Sequence, residues 1–255
     1  MQILSLNNVT KTFGGLVAVG GVTCGVERGH VVGLIGPNGA GKTTVFNLVT
    51  GSLKPDDGHI FFAGHAIARL KPHRIVSLGI ARTFQTIRLF PKLSALENVL
   101  SGCHCRMVSG LAASLLRLPS QRREERLVLG RAMAELEFVG LAAQWRTPAG
   151  SLPYGDQRRL EIARALATEP KLLILDEPAG GMNEQETLEL RELVGAIRRR
   201  DVTIMLIEHD MGFVMHVCDQ VLVMENGLLI AQGEPQQIQK NPKVVEAYLG
   251  LDDEP

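Results

Sequence analysis

Two clusters of side chains in this sequence have the types and spacing to handle a triphosphate. The first is Gly36-Pro37-Asn38-Gly39-Ala40-Gly41-Lys42-Thr43, which fits the glycine-rich phosphate-binding pattern at each fixed position. Its glycines let the backbone curl until several N–H groups point at one anion, and the helix predicted to follow offers its positive end to the same charge. Lys42 can reach the β- and γ-phosphates, and the Thr43 hydroxyl can bind Mg²⁺. The second cluster is Asp176-Glu177, which ends the apolar run Lys171-Leu172-Leu173-Ile174-Leu175. An isolated Asp-Glu is commonly two solvated acids. Joined to a phosphate loop, Asp176 is expected to hold Mg²⁺ through water, leaving Glu177 to polarise the attacking water as general base. No Asn-Lys-x-Asp guanine-reading segment is present, so ATP is favoured over GTP.

Those residues need a scaffold that brings strand ends together. His30 to Ile35 reads as a buried strand leading into the loop, and Lys42 to Thr50 as a helix ended by Gly51. Lys171 to Leu175 and Val202 to Ile207 are continuous apolar runs, as expected of strands covered on both faces. Glu184 to Arg200 is an amphipathic helix with Leu190, Leu193, Val194 and Ile197 on one stripe. Residues 1–30 read as short strands separated by Gly14-Gly15 and Gly20-Gly21 turns, with a further strand from His59 to Ala63 after Asp57-Gly58. Glu225-Asn226-Gly227 between two apolar runs signals a hairpin. Residues 86–168 differ, with Leu-, Ala- and Arg-rich helical stretches that include Arg122 to Phe138. The expectation is a strand-rich nucleotide-binding core over 1–85 and 169–255, with a helical lobe over 86–168 inserted into it. Strands alternating with helices imply an α/β domain with a largely parallel sheet, whose C-terminal edge is where ligands bind.

Composition bounds the partners. The 255 residues carry 27 Lys plus Arg against 27 Asp plus Glu. That balance argues against a general nucleic-acid binder and against simple electrostatic attachment to an anionic membrane. Four scattered cysteines fit a reducing compartment rather than a disulfide scaffold. Cys103-His104-Cys105 lacks the second ligand pair that a tetrahedral metal site needs, so no metal is expected there. No signal peptide is evident, and no apolar run approaches the roughly 20 residues that cross a bilayer.

With these motifs assembled, the chain resembles the ABC (ATP-binding cassette) ATPases over essentially its whole length. Gly36 to Thr43 matches the family's Walker A motif and Leu172 to Glu177 its Walker B motif. The resemblance implies a P-loop NTPase fold: a RecA-like core, an antiparallel β subdomain and an inserted helical subdomain. It also implies roles for residues that carry no signal alone. Gln85, in Ala81-Arg82-Thr83-Phe84-Gln85, resembles the Q-loop glutamine that senses Mg²⁺ and the γ-phosphate. His209, in Ile207-Glu208-His209-Asp210, resembles the switch histidine. Phe13 stands where an aromatic residue stacks on adenine. The family's signature segment reads Leu-Ser-Gly-Gly-Gln before a helix. Here it is Leu152-Pro153-Tyr154-Gly155-Asp156-Gln157, with a helix expected from Arg158 to Ala167. Gly155 fits; Pro153 removes the serine hydroxyl, and Tyr154 replaces a glycine. Ala179 to Asn183 occupies the D-loop position.

The departures narrow the family further. Leu152-Pro153-Tyr154-Gly155, Ala81 to Phe90, Ile207 to Met211 and Glu246-Ala247-Tyr248-Leu249-Gly250 resemble the ATP-binding subunits of high-affinity branched-chain amino acid importers. By that resemblance each ATP is sandwiched between Gly36–Thr44 of one protomer and the Gly155–Asp156 region of another. The other protomer is a second copy or a paralogous ATPase subunit. Transmembrane permease subunits and, indirectly, a periplasmic binding protein complete the set, and the chain is peripheral on the cytoplasmic face of the cell membrane. Urea or amide uptake and lipopolysaccharide export are alternatives for the cargo. A non-transport ABC protein acting on ribosomes or DNA would commonly carry two cassettes or a coiled-coil insertion. A P-loop kinase would not explain the Leu152–Asp156 segment, and a nonhydrolytic scaffold would not need Glu177 and His209.

Overall fold

The computed structural model describes the backbone of residues 1–103 and 119–249, and the side chains of these except 119–124 and 249. His104 and Cys105 of the Cys-His-Cys run, and Gly250 of the C-terminal segment, lie outside the described residues. Strands in chain order are β1 (Gln2–Phe13), β2 (Leu16–Glu27), β3 (Val31–Ile35), β4 (Asp57–Phe62), β5 (His65–Ala66), β6 (Ile80–Arg82), β7 (Leu172–Asp176), β8 (Thr203–Ile207), β9 (Gln220–Glu225) and β10 (Leu228–Gly233). The α-helices are α1 (Lys42–Val49), α2 (Pro72–Leu78), α3 (Ala95–Cys103), α4 (Pro119–Phe138), α5 (Tyr154–Leu166), α6 (Glu184–Arg199), α7 (Met211–Val217), α8 (Pro235–Gln239) and α9 (Pro242–Leu249). The chain divides into two compact units: Met1–Ile75 with Lys171–Pro255, and Val76–Pro170.

The first unit holds two sheets. In one, β9, β3, β8 and β7 run parallel in that order, with β10 antiparallel outside β9. Every residue of β3, β7 and β8 is buried, which is why polar residues stand only at the ends of these runs, at Asp176 and Thr203. Asn226 (φ 47°) and Gly227 (φ 80°) form the tight β9–β10 turn, in the left-handed conformation such hairpins favour. The other sheet is antiparallel in the order β2-β1-β4-β5.

Residues 1–30 differ from the expectation of short strands. They form two strands of 12 residues, turning at Gly14-Gly15. Gly20-Gly21 is not a turn but a bulge: Val9 pairs with Val22 and Lys11 with Val19, so β2 carries one residue more than β1 across that interval. Gly21, at φ 64°, turns its N–H to the Thr10 hydroxyl at 3.0 Å. A bulge with a residue at positive φ, as at Gly21, and a tight glycine turn both favour glycine, so the dipeptide alone does not separate them.

In the second unit α3 packs on α4 and α5, burying Val99, Ala132, Leu136, Leu160 and Ala163. Helix α5 starts at Tyr154, one turn earlier than expected. Pro153 is its N-cap residue (φ −53°, ψ 156°), and Leu152 before it is extended. A proline forces its predecessor out of the helical region, while its own missing N–H costs nothing at a helix start.

Candidate functional site: the phosphate loop and the strand-end acids

The C-terminal ends of β3, β8 and β7 lie side by side in the first unit, and each delivers one part of the site. From β3 the chain enters the glycine loop. A Cβ at Gly36 (φ 146°) would sit 2.0 Å from the Met224 carbonyl oxygen, and one at Gly41 (φ 98°) would sit 2.2 Å from that of Ala18. The loop is thus wedged between β9 and the β1–β2 hairpin, and only glycine fits at these two positions. The Ala40 carbonyl accepts from Gly227 N–H at 3.1 Å, tying the loop to the β9–β10 turn.

Lys42 opens α1 and is buried. Its Nζ donates to the carbonyl oxygens of Gly36 at 2.6 Å and Pro37 at 2.7 Å, curling back over the loop. Burial pushes the Lys42 ammonium below its ordinary pKa, and the Glu177 charge pulls it partly back. A cation held by two neutral carbonyls in a desolvated cradle has a strong need for anionic ligands.

Strand β7 ends on Asp176, which is buried. Glu177 follows in the left-handed region at φ 48°, a conformation that costs a non-glycine residue energy and recurs at functional sites. Its N–H donates to the Ile207 carbonyl at 3.0 Å, the last rung beside β8. Glu177 Oε1 lies 3.1 Å from Nε2 of His209, which follows β8. Phe13 ends β1 at the hairpin tip, 46% exposed, with Lys11 Nζ 5.4 Å above its ring. Lys11 in turn is paired with Asp56 at 2.7 Å. The first unit therefore carries Phe13 at its hairpin tip and, at its strand ends, the Gly36–Thr44 loop, Asp176, Glu177 and His209.

Gln85, Gly155 and Asp156 belong to the second unit. There the structure shows a contact that sequence reasoning missed. Arg158, on the second turn of α5, donates to the Phe84 carbonyl at 2.6 Å and also to that of Gln85. It pairs with Glu161 at 3.3 Å. Glu161 accepts from Arg88 N–H at 3.2 Å, and Arg164 donates to the Arg88 carbonyl at 2.5 Å. The three side chains recur every third residue along one helix face and clamp the Gln85 segment to the helix that carries Gly155 in its first turn. Burial pushes the Glu161 carboxyl up, against the pull of Arg88 N–H, Arg158 and Arg164. Gly155 is buried in the first turn, and Asp156 beside it is paired with Arg159. Asp156 offsets part of the helix's positive end, and Arg159 offsets Asp156 in turn.

Against known proteins, residues 19–180 match the ABC transporter family, and residues 229–254 match the branched-chain amino acid ATP-binding cassette transporter family. The chain belongs to the ABC transporter ATP-binding family. This ABC ATPase is 46% identical over 249 residues to the high-affinity branched-chain amino acid transport ATP-binding protein LivG of Escherichia coli strain K12, covering 97% of this chain and 98% of the relative. It is 47% identical over 249 residues to the corresponding protein BraF of Pseudomonas aeruginosa, with the same coverage. Its fold superposes on the ADP conformation of an ATP-binding cassette of an ABC transporter with a TM-score of 0.86 and 36% identity, covering 98% of this chain and 99% of that one. The two sheets and the helical unit are those of an ABC cassette, so the α/β, P-loop fold expected from the motifs is the one observed. Among the described residues of the ABC ATPase, no helix is long and apolar enough to cross a membrane.

Proposed function

We propose that this ABC ATPase hydrolyses ATP to power a branched-chain amino acid importer, as a peripheral subunit beneath transmembrane permeases. The observation that carries the cargo assignment is the match of its C-terminal residues 229–254 to the branched-chain family, alongside near-full-length similarity to LivG and BraF. That C-terminal segment also reaches the phosphate loop. Glu246 and Ala247 line a small cavity with Pro37, Asn38 and Ala40.

The residues perform the chemistry as follows. Gly36 to Thr44 wrap the triphosphate with backbone N–H groups, and Lys42 exchanges its carbonyl partners for the β- and γ-phosphates. Thr43 and the buried Asp176 supply hard oxygen donors that suit Mg²⁺, an ion that takes few protein ligands and fills its shell with phosphate and water. Among the described residues there is no His, Cys, Asp and Glu cluster of the kind that encloses a metal entirely. When bound, Mg²⁺ neutralises charge on the phosphates. Glu177 orients the attacking water and takes its proton. His209, 3.1 Å away, holds the Glu177 carboxylate in place and presents its ring to the γ-phosphate. Phe13 offers an exposed ring for the adenine. By the family resemblance Gln85 has the role of sensing Mg²⁺ and the γ-phosphate, and Gly155 with Asp156 caps the nucleotide of a neighbouring ATPase protomer. Pro153 leaves that cap to backbone N–H groups and the helix end, without a hydroxyl. ATP then drives motion by its differential affinity for two arrangements of the pair.

Purification from membranes in mild detergent tests this reading. Co-purifying permeases, and uptake of leucine, isoleucine or valine that is lost on deleting the chain, are the expected results. Normal uptake of all three after deletion, with loss of another solute's uptake, would overturn the cargo assignment.

A further inference from the structure

Glu208 lies between the strand β8 and His209, and it is buried to 4% exposure. A carboxylate so placed has to be compensated by donors. Its Oε1 accepts from Ala179 N–H at 2.7 Å, and its Oε2 from His209 N–H at 3.1 Å. The backbone of Asp210 donates to it as well. Ala179 stands two residues beyond Glu177. One side chain therefore brackets the two loops that carry the hydrolytic groups, at the point where the β7–β8 backbone ladder has run out. The paired residues end at Asp176 and Ile207, and the last rung runs from Glu177 N–H to Ile207. Beyond that rung Glu208 replaces the missing ladder bonds.

We infer that Glu208 is a positioning residue for hydrolysis, holding the Glu177 and His209 loops at the separation that lets those two side chains meet. This rests on the reading of Glu177 and His209 as the hydrolytic pair. The chemistry specifies a carboxylate. Glutamine keeps the size but turns one acceptor into an N–H₂ donor facing backbone N–H groups, so one loop is released. Aspartate keeps the charge but is one methylene too short to accept from both loops at once. Neither change touches the phosphate loop, so ATP affinity has no reason to follow.

The test uses the purified full-length chain with Mg²⁺ and ATP. Turnover and KM are measured alongside equilibrium binding of a fluorescent ATP analogue, and melting curves check folding. Glu208→Gln and Glu208→Asp are each expected to lower kcat about tenfold or more while affinity stays within about twofold, and Glu208→Gln added to His209→Ala is expected to slow the enzyme no further. Aspartate serves as the readout if the glutamine variant does not fold. The inference is overturned if both Glu208 variants turn over within about twofold of the unaltered chain while His209→Ala is slow, or if the losses multiply in the double variant. A His209→Ala chain hydrolysing at the normal rate would instead remove the hydrolytic pair, and this inference with it.

Discussion

His209 Nε2 meets Glu177 Oε1 at 3.1 Å across the ends of two neighbouring parallel strands. The contact exists because β7 and β8 pair in a register that places Asp176 opposite Ile207. A shift of one residue would turn the alternate side chains of a strand to the other face. The same strand edge carries the glycine loop, with Lys42 close enough to Glu177 for the two charges to act on each other. The proposed hydrolytic pair thus stands at the ends of strands whose every residue is buried.

Lys42 closes the loop on itself through the Gly36 and Pro37 carbonyls, and in the proposed function it grips phosphate. Lys42→Ala is expected to weaken ATP binding by about 100-fold or more, since a buried charge-assisted contact to phosphate is lost. Equilibrium titration with a fluorescent ATP analogue measures this. Lys42→Arg is expected to recover little, because the bulkier guanidinium does not fit between the Gly36 and Pro37 carbonyls.

The proposed role of Phe13 is confined to stacking on the base. Phe13→Ala is expected to raise KM for ATP about tenfold with kcat nearly unchanged, the pattern of a lost ground-state contact, and Phe13→Tyr to restore it. Steady-state hydrolysis over a range of ATP concentrations is the measurement.

The phosphate loop, the strand-end acids and the Asn226-Gly227 hairpin were legible because each is a short contiguous string whose residue types have a local reason. The all-buried strands were legible for the same reason. Gly20-Gly21 was not, since a bulge and a turn make the same demand on the backbone. Nor was the start of α5, where Pro153 belongs to both the extended segment and the cap. The Arg158 clamp and the Glu208 bracket join residues far apart in the chain, 74 positions from Phe84 to Arg158 and 29 from Ala179 to Glu208. Charged residues inside a helix or at a strand end read as solvated until the fold shows what they touch.

The Arg158–Glu161 pair is nearly sealed from water, with side-chain exposures of 4% and 1%. Removing Arg158 leaves the buried Glu161 with only the Arg88 N–H and the more distant Arg164, at 3.6 Å, to offset its charge. Arg158→Met is expected to destabilise the chain by about 3–5 kcal/mol, with Arg158→Met/Glu161→Leu recovering part of the loss. Urea unfolding of the three proteins gives the comparison. Because Arg158 also holds the Phe84 and Gln85 carbonyls, permease-stimulated hydrolysis is expected to fall further than basal hydrolysis in the single variant.

Asp56 gives the clearest pH signature. It accepts from Lys11 Nζ, Thr12 N–H and the Thr12 hydroxyl, each at 2.7 Å. These contacts, Lys11 foremost, hold its pKa down at about 2 from an ordinary 3.8. A depressed carboxylate pKa favours folding at pH above the unfolded value, and the contribution fades as pH falls through the folded value. Asp56→Asn is expected to melt below the unaltered chain at neutral pH, with the gap closing as pH falls from 3.8 toward about 2. A gap that stays constant over that interval would show that the carboxylate charge is not what anchors β1.

The most direct measurement is single-turnover hydrolysis by Glu177→Gln set beside its equilibrium affinity for ATP. Glutamine preserves the shape at Glu177 but cannot take a proton. Affinity within about twofold of the unaltered chain, with hydrolysis slowed by about 100-fold or more, is the result expected of a general base at the end of β7. Hydrolysis at the unaltered rate with ATP still bound would place the chemistry elsewhere and contradict the site described above.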